Sequence, residues 1–162
     1  MAKGFDLATK CGDCDSAPAC FLTRIPDPAV RDLGVHEGMC QCSKGTVLFR
    51  EGESPAGIFV LCSGRVELSI TSSDGRNLLL QVAHPGEVLG ASAVMSGKNY
   101  EVRAETAAPS QLIFIRRKDF LRCLRDYTEA CVHLVQRLGG DLQGAYDRVR
   151  ELGMARLRHN GH

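Results

Sequence analysis

The stretch Gly57-Ile58-Phe59-Val60-Leu61-Cys62-Ser63-Gly64-Arg65-Val66-Glu67-Leu68-Ser69-Ile70 decides the fold class. Ile58, Val60 and Cys62 alternate with their neighbours, Ser63-Gly64 turns, and Val66, Leu68 and Ile70 alternate again. A period of two bounded by glycine reads as strand, turn, strand. Asp74-Gly75 follows, a strong hairpin signal because the turn needs residues that accept positive φ. Beyond it Leu78, Leu80 and Val82 alternate up to the turn at Pro85-Gly86.

The same texture extends in both directions. Upstream, Val47 and Phe49 alternate before Gly52; downstream, Gln111–Arg116 carries Leu112-Ile113-Phe114-Ile115. Many short strands with regular turns predict a sandwich or jelly roll, not an α/β fold. The expected class is therefore mainly β with C-terminal helices.

After residue 117 the period changes to that of a helix. Lys118–Arg125 reads as a short helix with Phe120, Leu121 and Leu124 on one side, and Asp126 can cap a longer one. In the longer helix Leu134, Leu138, Leu142, Ala145, Val149 and Leu152 recur at steps of four or three. That narrow seam fits a coiled-coil pairing with a partner helix; the alternative is a helix packed on its own β-roll. Gly139, Gly140 and Gly144 each weaken a helix by about 1 kcal/mol relative to Ala. Four regions are expected: a Cys-rich segment with a short helix (1–35), a β-roll (36–117), a short helix and dimerisation helix (118–155), and a frayed tail (156–162). In the first region Asp27 suits an N-cap and Pro28 the first helical position, with Val30 and Leu33 on one face.

The chain has 162 residues, 44% of them hydrophobic, enough for one domain with a real core and an appendage. A net charge of +1 gives no field to attract nucleic acid. Arg148, Arg150, Arg156 and Arg158 make a basic end, but Asp147 and Glu151 interrupt it, as on a solvated helix face. The start MAKGFDLATK lacks an apolar targeting core, and no stretch reaches membrane-span length. The expectation is a cytoplasmic protein with reduced thiols.

The run from Lys44-Gly45-Thr46-Val47-Leu48-Phe49-Arg50-Glu51-Gly52-Glu53 through Pro85-Gly86-Glu87-Val88-Leu89-Gly90 to Val102-Arg103-Ala104-Glu105-Thr106 resembles the effector domain of the Crp/Fnr transcription regulators. Glycines 45, 52, 64, 75, 86 and 90 fall where such β-rolls turn. The resemblance covers residues from about 11 to 153. It implies a cyclic-nucleotide-binding-type double-stranded β-helix, a homodimer joined through the long helix, and a following helix-turn-helix domain. Met154–His162 holds no such domain, so DNA contact is expected only in a longer parent protein.

Nucleotide-binding members hold the ribose with a Gly-Glu pair and the cyclic phosphate with an Arg-Ser pair. A carboxylate accepts ribose hydrogen bonds, and a guanidinium pairs with phosphate at two points. Here Gly90 is followed by Ala91, and Lys98-Asn99 stands where Arg-Ser would fall. Lys98 offers a point charge without the fork, and Glu87 lies four positions before Ala91. A vestigial pocket, not cyclic nucleotide binding, is the expectation.

Cys11, Cys14 and Cys20 have the spacing C-x2-C-x5-C. Similarity to the oxygen-sensing branch of the family implies that they ligate an iron–sulfur cluster. A [4Fe–4S] centre takes four thiolates. The branch places its fourth Cys on the last strand of the roll, but Pro109–Phe114 has none. The family's strand order would set Cys62 and the Cys40/Cys42 pair beside that strand, and Cys62 is the first candidate. Cys40 and Cys42 would share one strand face. Cys123 and Cys131 read as core or seam residues. Zinc binding by the Cys-x2-Cys half-site and metal-free thiols remain alternatives. Asp13 and Asp15 would raise neighbouring thiol pKa values, which disfavours a purely thiolate switch.

An enzyme is not expected. His36, His84, His133, His159 and His162 are scattered without the His-x-His pair of a cupin-like metalloenzyme. No Ser/His/Asp set or phosphate-binding loop is evident. The remaining rival is a metal-free dimerisation or interaction module.

Overall fold

The computed structural model describes residues 20, 22 and 27–136. Its elements in chain order are α1 (Asp27–Asp32), α2 (Val35–Gly38), β1 (Met39–Cys42), β2 (Val47–Phe49), β3 (Gly57–Ser63), β4 (Val66–Thr71), β5 (Asn77–Ala83), β6 (Val88–Leu89), α3 (Ala91–Ser96), β7 (Arg103–Thr106), β8 (Ser110–Arg116) and α4 (Arg117–Asp126). Residues 128–136 are helical and are called α5. The strands form two four-stranded antiparallel sheets, β1-β8-β3-β6 and β2-β7-β4-β5. This is the jelly roll expected from the glycine-punctuated alternation. No helix among the described residues is long and apolar enough to cross a membrane.

Two apolar clusters divide the molecule. Between the sheets, Phe49, Leu61, Val66, Ala83, Leu89, Ala104 and Leu112 pack together. On the outer face of the first sheet, Ile58, Val60, Ile113 and Ile115 pack against Leu33, Val35, Phe120, Cys123, Ala130 and Leu134 from the helices. The first sheet is thus buried on both sides. That is why the positions between Ile58, Val60 and Cys62 in β3, and between Ile113 and Ile115 in β8, are also apolar: Phe59, Leu61 and Phe114 stand on the other face.

The turns follow local chemistry. At the β4–β5 hairpin, Gly75 takes φ 86°, its N–H donates to the Ser72 carbonyl at 2.9 Å, and the Arg76 N–H donates to the Ser72 hydroxyl at 3.1 Å. The Ser72 hydroxyl also bonds Asp74 and holds its carboxyl below the ordinary range. Gly64 takes φ 102°, and a Cβ there would meet the Ser110 side chain and, at 2.7 Å, the Pro109 carbonyl. Past the hairpin the expected alternation slips. Leu68 pairs with Gln81 and Ser69 with Leu79, so Leu80 sits in a bulge, and Leu78 and Leu79 are exposed.

Two short helices, α2 and α3, have no counterpart in the periodicity, because four to six residues carry too few turns to show one. Tyr127, not Asp126, starts α5. The Tyr127 carbonyl accepts from the N–H groups of Ala130 and Cys131 at 3.1 and 3.3 Å, while Asp126 closes α4. An extended Tyr127 (φ −129°, ψ 103°) is therefore the joint between the two helices.

The seam assignment changes at its first member. Leu134 is 1% exposed and belongs to the cluster between the helices and this chain's own roll. Leu134 is thus a core residue and unavailable to a partner helix. Leu138, Leu142, Ala145, Val149 and Leu152 lie outside the described residues.

Candidate functional site

Two places correspond to the sites expected from the resemblance: the cavity beside Gly90 and Ala91, and the thiols around the first sheet.

The cavity has a volume of about 160 Å³ and is lined by residues of β6, α3 and the segment before β7. Gly90 and Ala91 border it, as expected; Lys98 and Asn99 are exposed and do not. Gly90 takes φ 89° to start α3, and Gly97 takes φ 74° to end it. Lys98 follows that stop, with its N–H donating to the Ser96 hydroxyl at 3.3 Å. The charged residues lining the cavity are Glu87 and Glu101, with no Lys or Arg. Glu87 turns its carboxylate to the turn before it, accepting from the His84 N–H at 2.9 Å and the Gln81 side-chain amide at 3.5 Å.

Tyr100, a residue that sequence reading passed over, lines this cavity. It is 6% exposed, and its ring stacks on Phe49 with centroids 4.0 Å apart and planes 13° apart. Its hydroxyl donates to the Gly57 carbonyl at 2.6 Å and accepts from the Gly57 N–H at 3.4 Å. Burial raises its pKa, so the phenol keeps the proton it donates. Cavities that bury small ligands usually run to about 300–1,000 Å³. This one is smaller and is bordered by the Phe49–Tyr100 stack. Its lining offers a cyclic phosphate no cation.

The thiols separate by face. The strand order does flank β8 with β1 and β3, as expected from the resemblance. Cys62 falls at a register slip in β3: Leu61 faces Leu112 and Ser63 faces Gln111, which leaves Cys62 as the extra residue. Its side chain packs against the helix-side cluster, which also buries Cys20. Its thiol approaches the Val60 carbonyl at 3.9 Å. Cys40 and Cys42 pack against the opposite cluster, between the sheets. Sheet geometry therefore sorts the candidates: Cys20 and Cys62 border one apolar cluster, and the Cys40/Cys42 pair faces away from it.

Cys11 and Cys14 lie outside the described residues. Among the described residues no three His, Cys, Asp or Glu side chains gather as a metal centre would require. The two described thiols of the candidate set, Cys20 and Cys62, are of the kind that holds an iron–sulfur cluster and border the same apolar cluster. Cys123 is buried in the core as expected, its thiol pushed up to about 11 by burial and by the Asp32 and Asp126 charges.

Comparison with known proteins agrees with this architecture. The cyclic nucleotide-binding domain family matches residues 39–127. The sensor domain of the transcriptional regulator DNR from Pseudomonas aeruginosa superposes with a TM-score of 0.65 at 24% identity, over 78% of this chain and 85% of that one. The Thermus thermophilus catabolite activator protein gives a TM-score of 0.67 at 19% identity, over 88% of this chain and 72% of that one. Patatin-like phospholipase domain-containing protein 7 of Rattus norvegicus is 28% identical over 122 residues, 71% of this chain. The chain spans only 9% of that relative's length. With 89 of its residues (39 to 127) matched and two sheets in jelly-roll order, this chain belongs to the cyclic nucleotide-binding domain family.

Proposed function

We propose that this chain is the sensory half of a Crp/Fnr-type transcription regulator, answering to oxygen or redox state through an iron–sulfur cluster and not to a cyclic nucleotide. Cys11, Cys14, Cys20 and Cys62 are the residues that would hold a [4Fe–4S] cluster. The observation that carries the reading is the shared cluster of Cys20 and Cys62 on the helix face of the first sheet. A small cavity with carboxylates and no cation supports the negative half of the proposal.

When bound, such a cluster supplies redox chemistry tuned by charge, hydrogen bonding and solvent exposure at its sulfurs. This chain's part is mechanical. Cys20 and Cys62 pack with Ala130 and Leu134 of α5 in one apolar cluster. Any change in how the Cys20 segment is held is therefore felt at the base of the last helix. A dimer seam running on from α5 would couple sensing to pairing through this packed core.

The seam is best read with Val135 at its head. Val135, Leu138, Leu142, Ala145, Val149 and Leu152 are spaced three, four, three, four and three apart, a regular heptad pattern. Val132 and Val135 are 50% and 56% exposed, which favours a homodimer through this face. The same exposure also suits the second reading, a metal-free dimerisation module.

Anaerobic purification followed by iron, zinc and acid-labile sulfide assays tests the proposal. Brown protein with iron and sulfide is expected, lost in Cys62→Ser and kept in Cys42→Ser. Zinc without sulfide, or a colourless metal-free dimer, would overturn it in favour of the respective alternatives.

A further inference from the structure

Cys40 and Cys42 form a second thiol site that the function proposed above does not use. They stand two residues apart on β1, an edge strand of the first sheet. Pairing of Cys40 with Leu112 and Cys42 with Ser110 fixes that strand. Both side chains are half-buried against the inter-sheet cluster, so both lie on one face of the strand. The thiols interact with each other, and the Cys40 thiol also donates to the Leu112 carbonyl at 3.5 Å. An open polar cleft of about 460 Å³ reaches Cys42 where the ends of β1, β3 and β8 meet, between Ser43, Ser63 and Ser110.

The strand limits what this pair can do. Cα atoms two apart in an extended strand are separated by about 6.6 Å. That is near the upper end of the disulfide range of about 4.4–6.8 Å. The parallel Cβ directions make closure harder still, so a disulfide would have to distort a strand paired along its length. A bridging metal spans more, because two metal–thiolate bonds of about 2.3 Å replace one sulfur–sulfur bond of about 2.05 Å. Among the described residues no third His, Cys, Asp or Glu completes a group with the pair. The described residues therefore supply two thiolates, a set that suits a soft ion content with two ligands better than tetrahedral zinc.

We propose that Cys40 and Cys42 bind a monovalent soft metal ion, copper(I), as a two-coordinate dithiolate reached through the cleft at Cys42. Binding releases the thiol protons and exchanges the Cys40 bond to Leu112 for a metal bond.

The test uses the full chain, anaerobically, with copper(I) delivered from a competing chelator. Thiol alkylation is read residue by residue by peptide mass spectrometry. Copper(I) should protect Cys40 and Cys42 together, and zinc at equal concentration should not. Competition titration should show one equivalent lost in both Cys40→Ser and Cys42→Ser. That equivalent should persist in Cys62→Ser and in a Cys11→Ser/Cys14→Ser variant, which separates this site from the iron–sulfur proposal. Alkylation of both thiols in copper-loaded wild type, equal protection by zinc, or an unchanged titration of Cys42→Ser would each overturn the assignment. The wild-type footprint stands even if a serine variant folds poorly.

Discussion

Leu134 and Val135 are adjacent in sequence and opposite in environment: Leu134 is 1% exposed within the core, and Val135 is 56% exposed on the outer side of the same helix. One helix thus has two environments, a face packed on its own roll and an exposed face that the proposed dimer would use. Val135→Asp, or Leu138→Asp or Leu142→Asp, should give monomers in sedimentation velocity while the circular dichroism spectrum keeps its β-roll signature. Leu134→Ala should instead lower stability by about 2–5 kcal/mol, the range for a large buried aliphatic side chain. A dimer that survives Val135→Asp and Leu142→Asp would rule out the seam.

Tyr100 ties the cavity beside α3 to β3 through Gly57. Tyr100→Phe keeps the stack on Phe49 and removes the hydroxyl. A loss of about 0.5–1.5 kcal/mol in urea unfolding is expected. Tyr100→Ala should cost more, about 3–5 kcal/mol by analogy with other aromatic truncations. Cyclic AMP should produce no heat in calorimetric titration of either variant or of the wild type.

Asp119 is a carboxylate only 6% exposed, held by Arg116 Nε at 3.1 Å and Arg122 Nη2 at 2.9 Å. Its two oxygens each accept a charge-assisted bond at the start of α4, where negative charge also suits the helix terminus. Asp119→Ala should destabilise by about 1.5–3 kcal/mol in thermal or urea melts, because two donors lose a buried acceptor. Arg116→Ala should cost less, since that side chain is 69% exposed.

The Cys123 thiol is raised from an ordinary 9.0 to about 11 in the folded state. A folded state that prefers the neutral thiol is favoured fully below pH 9 and loses that advantage as pH climbs toward 11. Stability should therefore fall across this interval. Cys123→Ala should show a shallower fall than wild type in melts taken every half pH unit. Parallel slopes in the two proteins would count against the buried-thiol account.

Gly64 is irreplaceable for a local reason. Its φ of 102° and its closeness to Ser110 and Pro109 leave no room for a side chain. Gly64→Ala should destabilise by more than about 1 kcal/mol. Gly75→Ala, with open space around it, should cost only the strain of its positive φ.

Sequence alone determined the kind of fold. Glycine-bounded alternation from Val47 to Ile115 requires short antiparallel strands, and the change of period after residue 117 requires helices. Both signals are local, carried by which neighbours share a face. What lies across from each face was decided only in three dimensions. Cys62 and Cys42 both sit on strands next to β8, yet the register slip in β3 and the sheet's two buried sides send them to different clusters. Leu134 and Val135 both suit a helical stripe, and only packing on the roll shows which one is already taken. Tyr100 gave no periodic signal because it lies between elements, and its stack on Phe49 joins residues 51 positions apart (100 − 49). Periodicity specifies faces. Contacts between faces depend on how distant segments close against one another, and a linear pattern does not carry that.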